Sequence, residues 1–261
     1  MKESRKQLRI VVGTNCLTEI QYPSYTNHIQ FWYRLGKSYP NIDFILSNPS
    51  RMSIDRMRNM TAKVAIEAQA DYILFLDDDV IVPPNYGLQM LLDCNADVAS
   101  GKICVRGWPF DYMSFYKHKS GTIRMDKRLP KKGILDREAV GFSFALLKVD
   151  KIRKMPEPYF ITGPHQTEDV YYCMRLKQMD HAATIKVNCE CECGHILWPE
   201  IVIEDNRNAY QKYYMGINKI HEDSPDVEEI DRGEAYLKKI KKAANHEIKP
   251  RMRNDKITGV S

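Results

Sequence analysis

Short β-branched apolar runs alternate with amphipathic stretches through the first two thirds of the chain. Residues 8–13, closed by Gly13, predict a buried first strand. Across residues 25–39, Ile29, Trp32, Tyr33 and Leu35 recur near helical spacing until Pro40 stops the helix. Residues 42–47 predict a second strand, ended by Asn48-Pro49. Ser53 is placed to N-cap a helix running to about residue 69, with Met57, Met60, Val64 and Ala68 along one stripe. Residues 71–76 predict a third strand, which delivers the chain directly to Asp77-Asp78-Asp79. Beyond it the pattern predicts a helix through Leu92, a strand over 97–105 and a polar, mobile loop over 124–137. A strand over 140–149, a helix over 169–179 and a last strand over 183–193 complete the series.

Strand–helix alternation of this kind implies an α/β fold, a mostly parallel sheet with helices on both faces. Ligands of such sheets bind beyond the carboxyl ends of the strands, where the three aspartates fall. The pattern predicts one domain over residues 1–200, followed by a charged, mostly helical extension over 201–261. No internal repeat or low-complexity segment interrupts it.

Composition narrows the class. Of the 261 residues, 43% are hydrophobic and 28% charged, as in ordinary globular proteins, and no apolar run approaches the roughly 20 residues that span a bilayer. The basic start runs straight into a strand and lacks a signal-peptide core, so a cytoplasmic location is expected. Seven cysteines, an odd number, lie mostly in regular segments, as reduced thiols would. The net charge of +5 is concentrated at the end, where residues 232–261 hold nine Lys/Arg against three Asp/Glu. That tail could meet an anionic partner such as nucleic acid, DNA included, or a membrane surface, or simply be a solvated terminus.

Three consecutive carboxylates at a strand end repel one another, and a divalent cation with its preference for oxygen relieves the repulsion. The bland alternative is a capped, solvated turn. Residues 189–195, Cys-Glu-Cys-Glu-Cys-Gly-His, invite a zinc reading, but alternate residues of one straight strand lie nearly 7 Å apart. Ligands so spaced cannot converge on an ion with bonds of about 2.0–2.3 Å, so a buried face of small thiols is expected. In residues 106–119, Trp108, Phe110, Tyr112, Phe115 and Tyr116 interleave with Arg106, Lys117, His118 and Lys119. Such a segment stacks on sugars or bases and holds phosphates, or forms core with a basic rim.

Arg58-Asn59, Ala65, the strand over 71–76 and Asp77-Asp78-Asp79-Val80 together resemble the core of GT-A glycosyltransferases, particularly the family 2-like group. The resemblance covers residues 8–196 and implies a metal-dependent transfer of sugar from a nucleotide donor, a UDP-sugar first, with Mn2+ or Mg2+ as cofactor. It implies Asp77 and Asp79 as the Asp-x-Asp pair, Asp78 beside the donor, and Asp79 as the more direct metal ligand. Arg58 and Asn59 match the family's Arg-Asn pair, Thr14 and Asn15 the nucleoside-contacting segment, and His195 the late histidine that joins the metal. Thr167-Glu168-Asp169, with Arg175 behind it, resembles the Glu-Asp block. There Asp169 would act as general base on the acceptor hydroxyl and Glu168 would contact the acceptor or the layer behind it, because an alcohol needs a positioned base. Both carboxylates could equally cap the following helix.

Compact size, the aromatic-basic segment and the basic tail also resemble virus- or phage-type enzymes that glycosylate hydroxymethylated bases of DNA. A nucleotidyltransferase is the alternative from another class. Those enzymes carry a Gly-rich basic loop after the first strand, where this chain reads Gly13-Thr-Asn-Cys-Leu-Thr-Glu.

Overall fold

The computed structural model describes residues 7–204 apart from 18, 165, 198 and 199, together with Arg207 and Gln211. In chain order the elements are β1 (Leu8–Asn15), α1 (Tyr22–Ser38), β2 (Ile42–Ser47), α2 (Ile54–Glu67), β3 (Tyr72–Asp77), β4 (Val80–Ile81), α3 (Gly87–Asp93) and β5 (Val98–Lys102). They continue with β6 (Tyr112–Lys117), β7 (Ile123–Asp126), β8 (Ile134–Asp136), β9 (Ala139–Val140), β10 (Phe144–Lys148) and α4 (Val149–Arg153). The last are α5 (Glu168–Met179), β11 (Ile185–Glu192), β12 (Gly194–Leu197) and β13 (Glu200–Val202).

Seven strands form the central sheet in the order β2-β1-β3-β10-β5-β11-β8. Parallel pairing joins β2, β1 and β3 on one side and β5 with β11 on the other, while β10 and β8 run against their neighbours. The fold is therefore the expected Rossmann-like α/β arrangement, with a reversed strand at its centre. On one face Ile10, Val12, Leu74, Leu76 and Leu146 pack with Phe31 and Leu35 of α1 and Leu88 and Leu91 of α3. On the other lie α2 and α5, with Phe75, Phe142, Phe160 and Tyr172 in an aromatic cluster of centroid spacings 5.0–6.1 Å. Helices thus cover both faces, as the alternation predicts.

Two helices are rotated from the expected stripes. In α1 the buried residues are Ser24, His28, Phe31 and Leu35, while Ile29 and Tyr33 are exposed. His28 and its neighbour Asn27 are held by the chain that follows the aspartates. His28 Nε2 bonds the Val80 carbonyl at 2.9 Å, and the Asn27 side chain both donates to Val82 O and accepts from Val82 N at 2.9 Å. In α2 the buried residues are Met57, Arg58, Thr61, Ala62 and Ala65, and Met60 faces outward. Small residues win there because α2 lies close against β1. The expected loop over 124–137 contains β7 and β8 instead, short strands with half-exposed side chains and hence no continuous apolar signal.

The chain forms two compact units, Met1–Arg207 and Asn208–Ser261. Arg207, the last residue of the first unit, is buried against the loop that follows β5. Its guanidinium donates to the Phe110 carbonyl and, at 2.7 Å, to Lys127 O, and it lies 4.5 Å over the Tyr112 ring. The expected helical extension and basic tail lie outside the described residues.

Close approach of α2 to β1 depends on Gly13, where an added Cβ would stand 2.7 Å from Thr61 Cγ2 and 3.1 Å from the Phe75 ring. Gly13→Ala is expected to cost about 1–3 kcal/mol by overpacking. Urea unfolding of Gly13→Ala alone and combined with Thr61→Ser checks it, the second change restoring part of the loss.

Candidate functional site

The carboxyl edge is built by strand register. Asn15 stands opposite Asp77 across the β1–β3 pair, and Asp77 N donates to the Ser143 carbonyl at 2.9 Å, just before β10. The chain turns at Asp78 and Asp79 and enters β4, which pairs antiparallel with β12 so that Val80 faces His195. Ile196 N donates to the Asp79 carbonyl at 2.9 Å, which locks the turn to the late strand. A histidine remote in sequence is thereby fixed beside the third aspartate.

The three carboxylates go to different partners. Asp77 accepts from Arg58 Nη2 at 3.1 and 3.3 Å and from Asn15 Nδ2 at 3.2 Å. Burial, with the charges of Asp79 and Asp77, pushes the Asp78 carboxyl above its usual range, against hydrogen bonds from the Cys16 side chain and the Leu17 backbone. Asp79 Oδ2 lies 3.4 Å from His195 Nε2 and 2.6 Å from Arg106 Nη1. Burial opposes the charge of Asp79, yet the hydrogen bond and charge of His195, with Arg106, hold its carboxyl below the usual range. Burial likewise opposes a charge on His195, but Asp79 and the Cys104 carbonyl outweigh it and raise the imidazole.

The His195 ring is fixed by its other nitrogen, since Nδ1 lies 2.8 Å from the Cys104 carbonyl, an acceptor only. Nδ1 therefore carries the hydrogen. Nε2 faces Asp79, and once its proton is lost the lone pair there would be presented as a ligating histidine's is, held from behind by the Nδ1 contact. Asp79 and His195 fit a divalent cation as a two-donor set. Asp77 does not complete a third position, because it is the counter-ion of Arg58. Among the described residues no three His, Cys, Asp or Glu side chains converge as a cage.

Behind this edge lies Arg58, 2% exposed, its guanidinium carbon 5.2 and 5.4 Å from the Phe75 and Phe142 ring centres. Its Nη1 stands 2.7 Å from Glu168 Oε1, out of line with the N–H, so the contact is one of charge and not an aligned hydrogen bond. Burial pushes the Glu168 carboxyl above the usual range against the pull of Arg58. Thr162 Oγ1 also donates to Glu168, at 3.3 Å. Asp169 is buried in the first turn of α5, with one oxygen accepting from Thr167 Oγ1 and, at 2.7 Å, from Val170 N. The second block is thus joined to the first through one guanidinium, Asp77–Arg58–Glu168.

Other expected site residues fall differently. Thr14 is buried near the end of β1. The Asn59 amide is taken by structure: it donates to Asp55 O and Phe160 O at 2.8 and 2.7 Å and accepts from Tyr159 N and Phe160 N. That places Asn59 as a brace for the loop before α5 and not toward a donor. The expected single strand over 183–193 ends at Glu192 after its register shifts, and His195 belongs to β12 in a second sheet. Cys189, Cys191 and Cys193 are buried, and burial raises the Cys189 and Cys193 thiols, so they stay protonated. Arg175 donates to the Pro158 carbonyl at 2.7 Å, away from the carboxylates. Of the aromatic-basic segment, Phe110 and Tyr112 are core and Trp108 is exposed, while Arg106 reaches Asp79. In the sequence Arg106 reads only as one cation of an aromatic-basic segment; its partner is set by the loop after β5, which no local pattern reveals.

An open cleft of about 780 Å³ lies at the opposite end of β1 and β3, between Arg9, Asp71, Lys148 and Arg153. Two of its cations are engaged internally, Arg9 with Asp43 at 2.7 Å and Lys148 with Asp97 at 3.2 Å, and it holds none of the expected site residues.

No family model and no curated protein matches the chain. Among solved structures, one described as "Crystal Structure of A197 from STIV" aligns with a TM-score of 0.52 at 18% identity, covering 75% of this chain and 93% of that one. The likeness is one of fold. A putative glucose-1-phosphate thymidylyltransferase from Bacillus anthracis in complex with a sucrose aligns with a TM-score of 0.39 at 9% identity, over 78% of this chain and 94% of that one. HddC from Yersinia pseudotuberculosis complexed with GMP-PN aligns with a TM-score of 0.37 at 12% identity, over 79% and 98%. Both scores are too low to bear on function.

Removing Arg58 would leave the buried Glu168 and the part-buried Asp77 without their cation. Arg58→Met is expected to cost about 3–5 kcal/mol, the usual penalty for breaking a buried pair. The midpoint of urea unfolding measures it. Glu168→Gln in the same background should recover part of the loss, because one orphaned charge is then gone.

Proposed function

We propose that this chain is a transferase that binds a nucleotide-sugar, a UDP-sugar foremost, and moves the sugar to an acceptor hydroxyl. The observation that carries the reading is His195 Nε2 facing Asp79 at the carboxyl edge of a Rossmann-like sheet, with Nδ1 anchored on Cys104. A mixed carboxylate–imidazole pair suits Mn2+ better than Mg2+, which takes oxygen ligands and dehydrates reluctantly. When bound, the ion would neutralise charge developing on the departing diphosphate. Asp79 and His195 would hold it, and Thr14, Asn15 and Asp78, at the same edge, would face the nucleotide.

The protein's own contribution is positioning and a proton acceptor. Arg58 holds Asp77 in place and ties it to Glu168, so one guanidinium links the donor edge to the Glu-Asp block. Asp169 keeps one oxygen for the helix start and has its second for the acceptor's proton. The loop after β1 reads Gly13-Thr-Asn-Cys-Leu-Thr-Glu, without the basic residue that a nucleotidyltransferase brings to a triphosphate, which supports a diphosphate donor. The acceptor class is a hydroxyl compound, with hydroxymethylated DNA a member of the screen.

UDP with Mn2+ is expected to raise the melting temperature, and neither alone should do so as strongly. Asp79→Ala should abolish the joint effect and His195→Ala should weaken it. Asp79→Ala retaining the full shift would remove Asp79 from the metal site. A UDP-release assay across donor sugars, with and without hydroxymethylated DNA, then identifies the substrates.

Asp169→Asn separates base from cap. Asparagine caps about as well as aspartate but takes no proton at neutral pH, so UDP binding should persist while turnover falls by roughly 10²–10⁴-fold. Near-normal turnover would return Asp169 to a helix-capping role. Retention of the anomeric configuration in the product would also defeat the base assignment.

A further inference from the structure

Arg106 is anchored and free at once. Its backbone sits in a tight loop, with Val105 N donating to Asp111 O at 2.9 Å and Phe110 N to Gly107 O at 2.7 Å. Phe110 is buried and Arg207 grips its carbonyl, so the loop's base is fixed to the body of the domain. The Arg106 side chain is nevertheless 59% exposed, and its guanidinium ends 2.6 Å from Asp79 Oδ2. This is the same oxygen that His195 Nε2 faces at 3.4 Å.

A divalent ion held by Asp79 and His195 would lie about 2.0–2.2 Å from that oxygen. Guanidinium and ion would then crowd one oxygen with like charges, which favours the departure of one of them. Exposed ion pairs hold weakly, so the arginine is the one that can swing away by side-chain rotation alone. A guanidinium displaced from a carboxylate finds an equivalent planar, two-oxygen partner in phosphate.

We propose that Arg106 is a resident counter-cation of Asp79 that yields to a divalent ion and transfers to the diphosphate of the incoming nucleotide. The proposal rests on the donor-site reading above and assigns Arg106 to the donor, not to the acceptor. It makes ion and nucleotide binding mutually dependent. The ion displaces Arg106, the diphosphate receives it, and each event lowers the cost of the other. Arg106 is on this account a positioning residue for the leaving group.

The test is direct binding, read without turnover. Mn2+ alone is titrated by the electron paramagnetic resonance signal of the free ion, and UDP by calorimetry with and without Mn2+. Wild type, Arg106→Gln, Arg106→Lys and Asp79→Ala are compared. Arg106→Gln is expected to bind Mn2+ alone about ten-fold more tightly, because a competing positive charge is removed. It should bind UDP in the presence of Mn2+ about ten-fold more weakly, having lost a charged phosphate contact. Arg106→Lys should keep the weak Mn2+ affinity of the wild type, since the competing charge remains, and show intermediate UDP binding.

If Arg106→Gln leaves Mn2+ affinity unchanged while Asp79→Ala abolishes it, the counter-cation proposal falls and the metal site stands. The proposal falls equally if Arg106→Gln gains Mn2+ affinity but loses none for UDP. If neither wild type nor Arg106→Gln takes up Mn2+, with or without UDP, the donor-site reading falls and this proposal with it.

Discussion

A guanidinium that is almost fully buried has to be neutralised by the protein around it, and Arg58 draws its neutralising charges from two distant parts of the chain. Asp77 comes from the end of β3 and Glu168 from the start of α5. The aromatic rings of Phe75 and Phe142 close over its flat faces, where the π-systems favour a cation. Withdrawing the guanidinium would leave two carboxylates without their shared cation in a low-dielectric setting, a far larger penalty than the cluster's net contribution to stability. The carboxyl edge of the sheet is held to the Glu-Asp block by that constraint, and the geometry of both follows from it.

The same constraint explains why three chemically identical residues acquire three environments. Asp77 is committed to Arg58 and Asn15. Asp78 turns toward the loop after β1, where burial and its two neighbours oppose its charge. Asp79 alone reaches the far side of the turn, toward His195 and Arg106. That turn is fixed from two directions. The side chains of Asn27 and His28 on α1 hold Val82 and Val80, and the backbone of Ile196 holds Asp79. A two-residue strand would be too short to persist by itself; here both of its edges are engaged.

The loop after β5 shows how a polar arm is placed on a rigid base. Phe110 adopts a positive φ of 57°, which a bulky residue rarely does without support. Arg207 supplies part of that support by gripping the Phe110 carbonyl and stacking on Tyr112. Residues 106–119 read in sequence as one aromatic-basic surface. In the fold they divide into core, an exposed tip and a single arginine aimed at the carboxylates.

Local periodicity determined the order of strands and helices and placed Asp77-Asp78-Asp79 at a strand end, because both features depend only on residues adjacent in the chain. It also anticipated the buried cysteine face, since alternation along a strand is local as well. The stripes of α1 and α2 differ from the expected ones because polar residues such as His28 and Arg58 are buried with partners that lie far off in sequence. The two half-exposed strands of residues 124–137 left no apolar pattern to read. Which aspartate meets His195, that Asn59 braces a loop and that Arg106 reaches Asp79 were decided only by tertiary structure. Each depends on pairing between elements such as β4 with β12, or on charges brought together by burial. No neighbouring residue records those contacts, so the sequence could name the participants but not their partners.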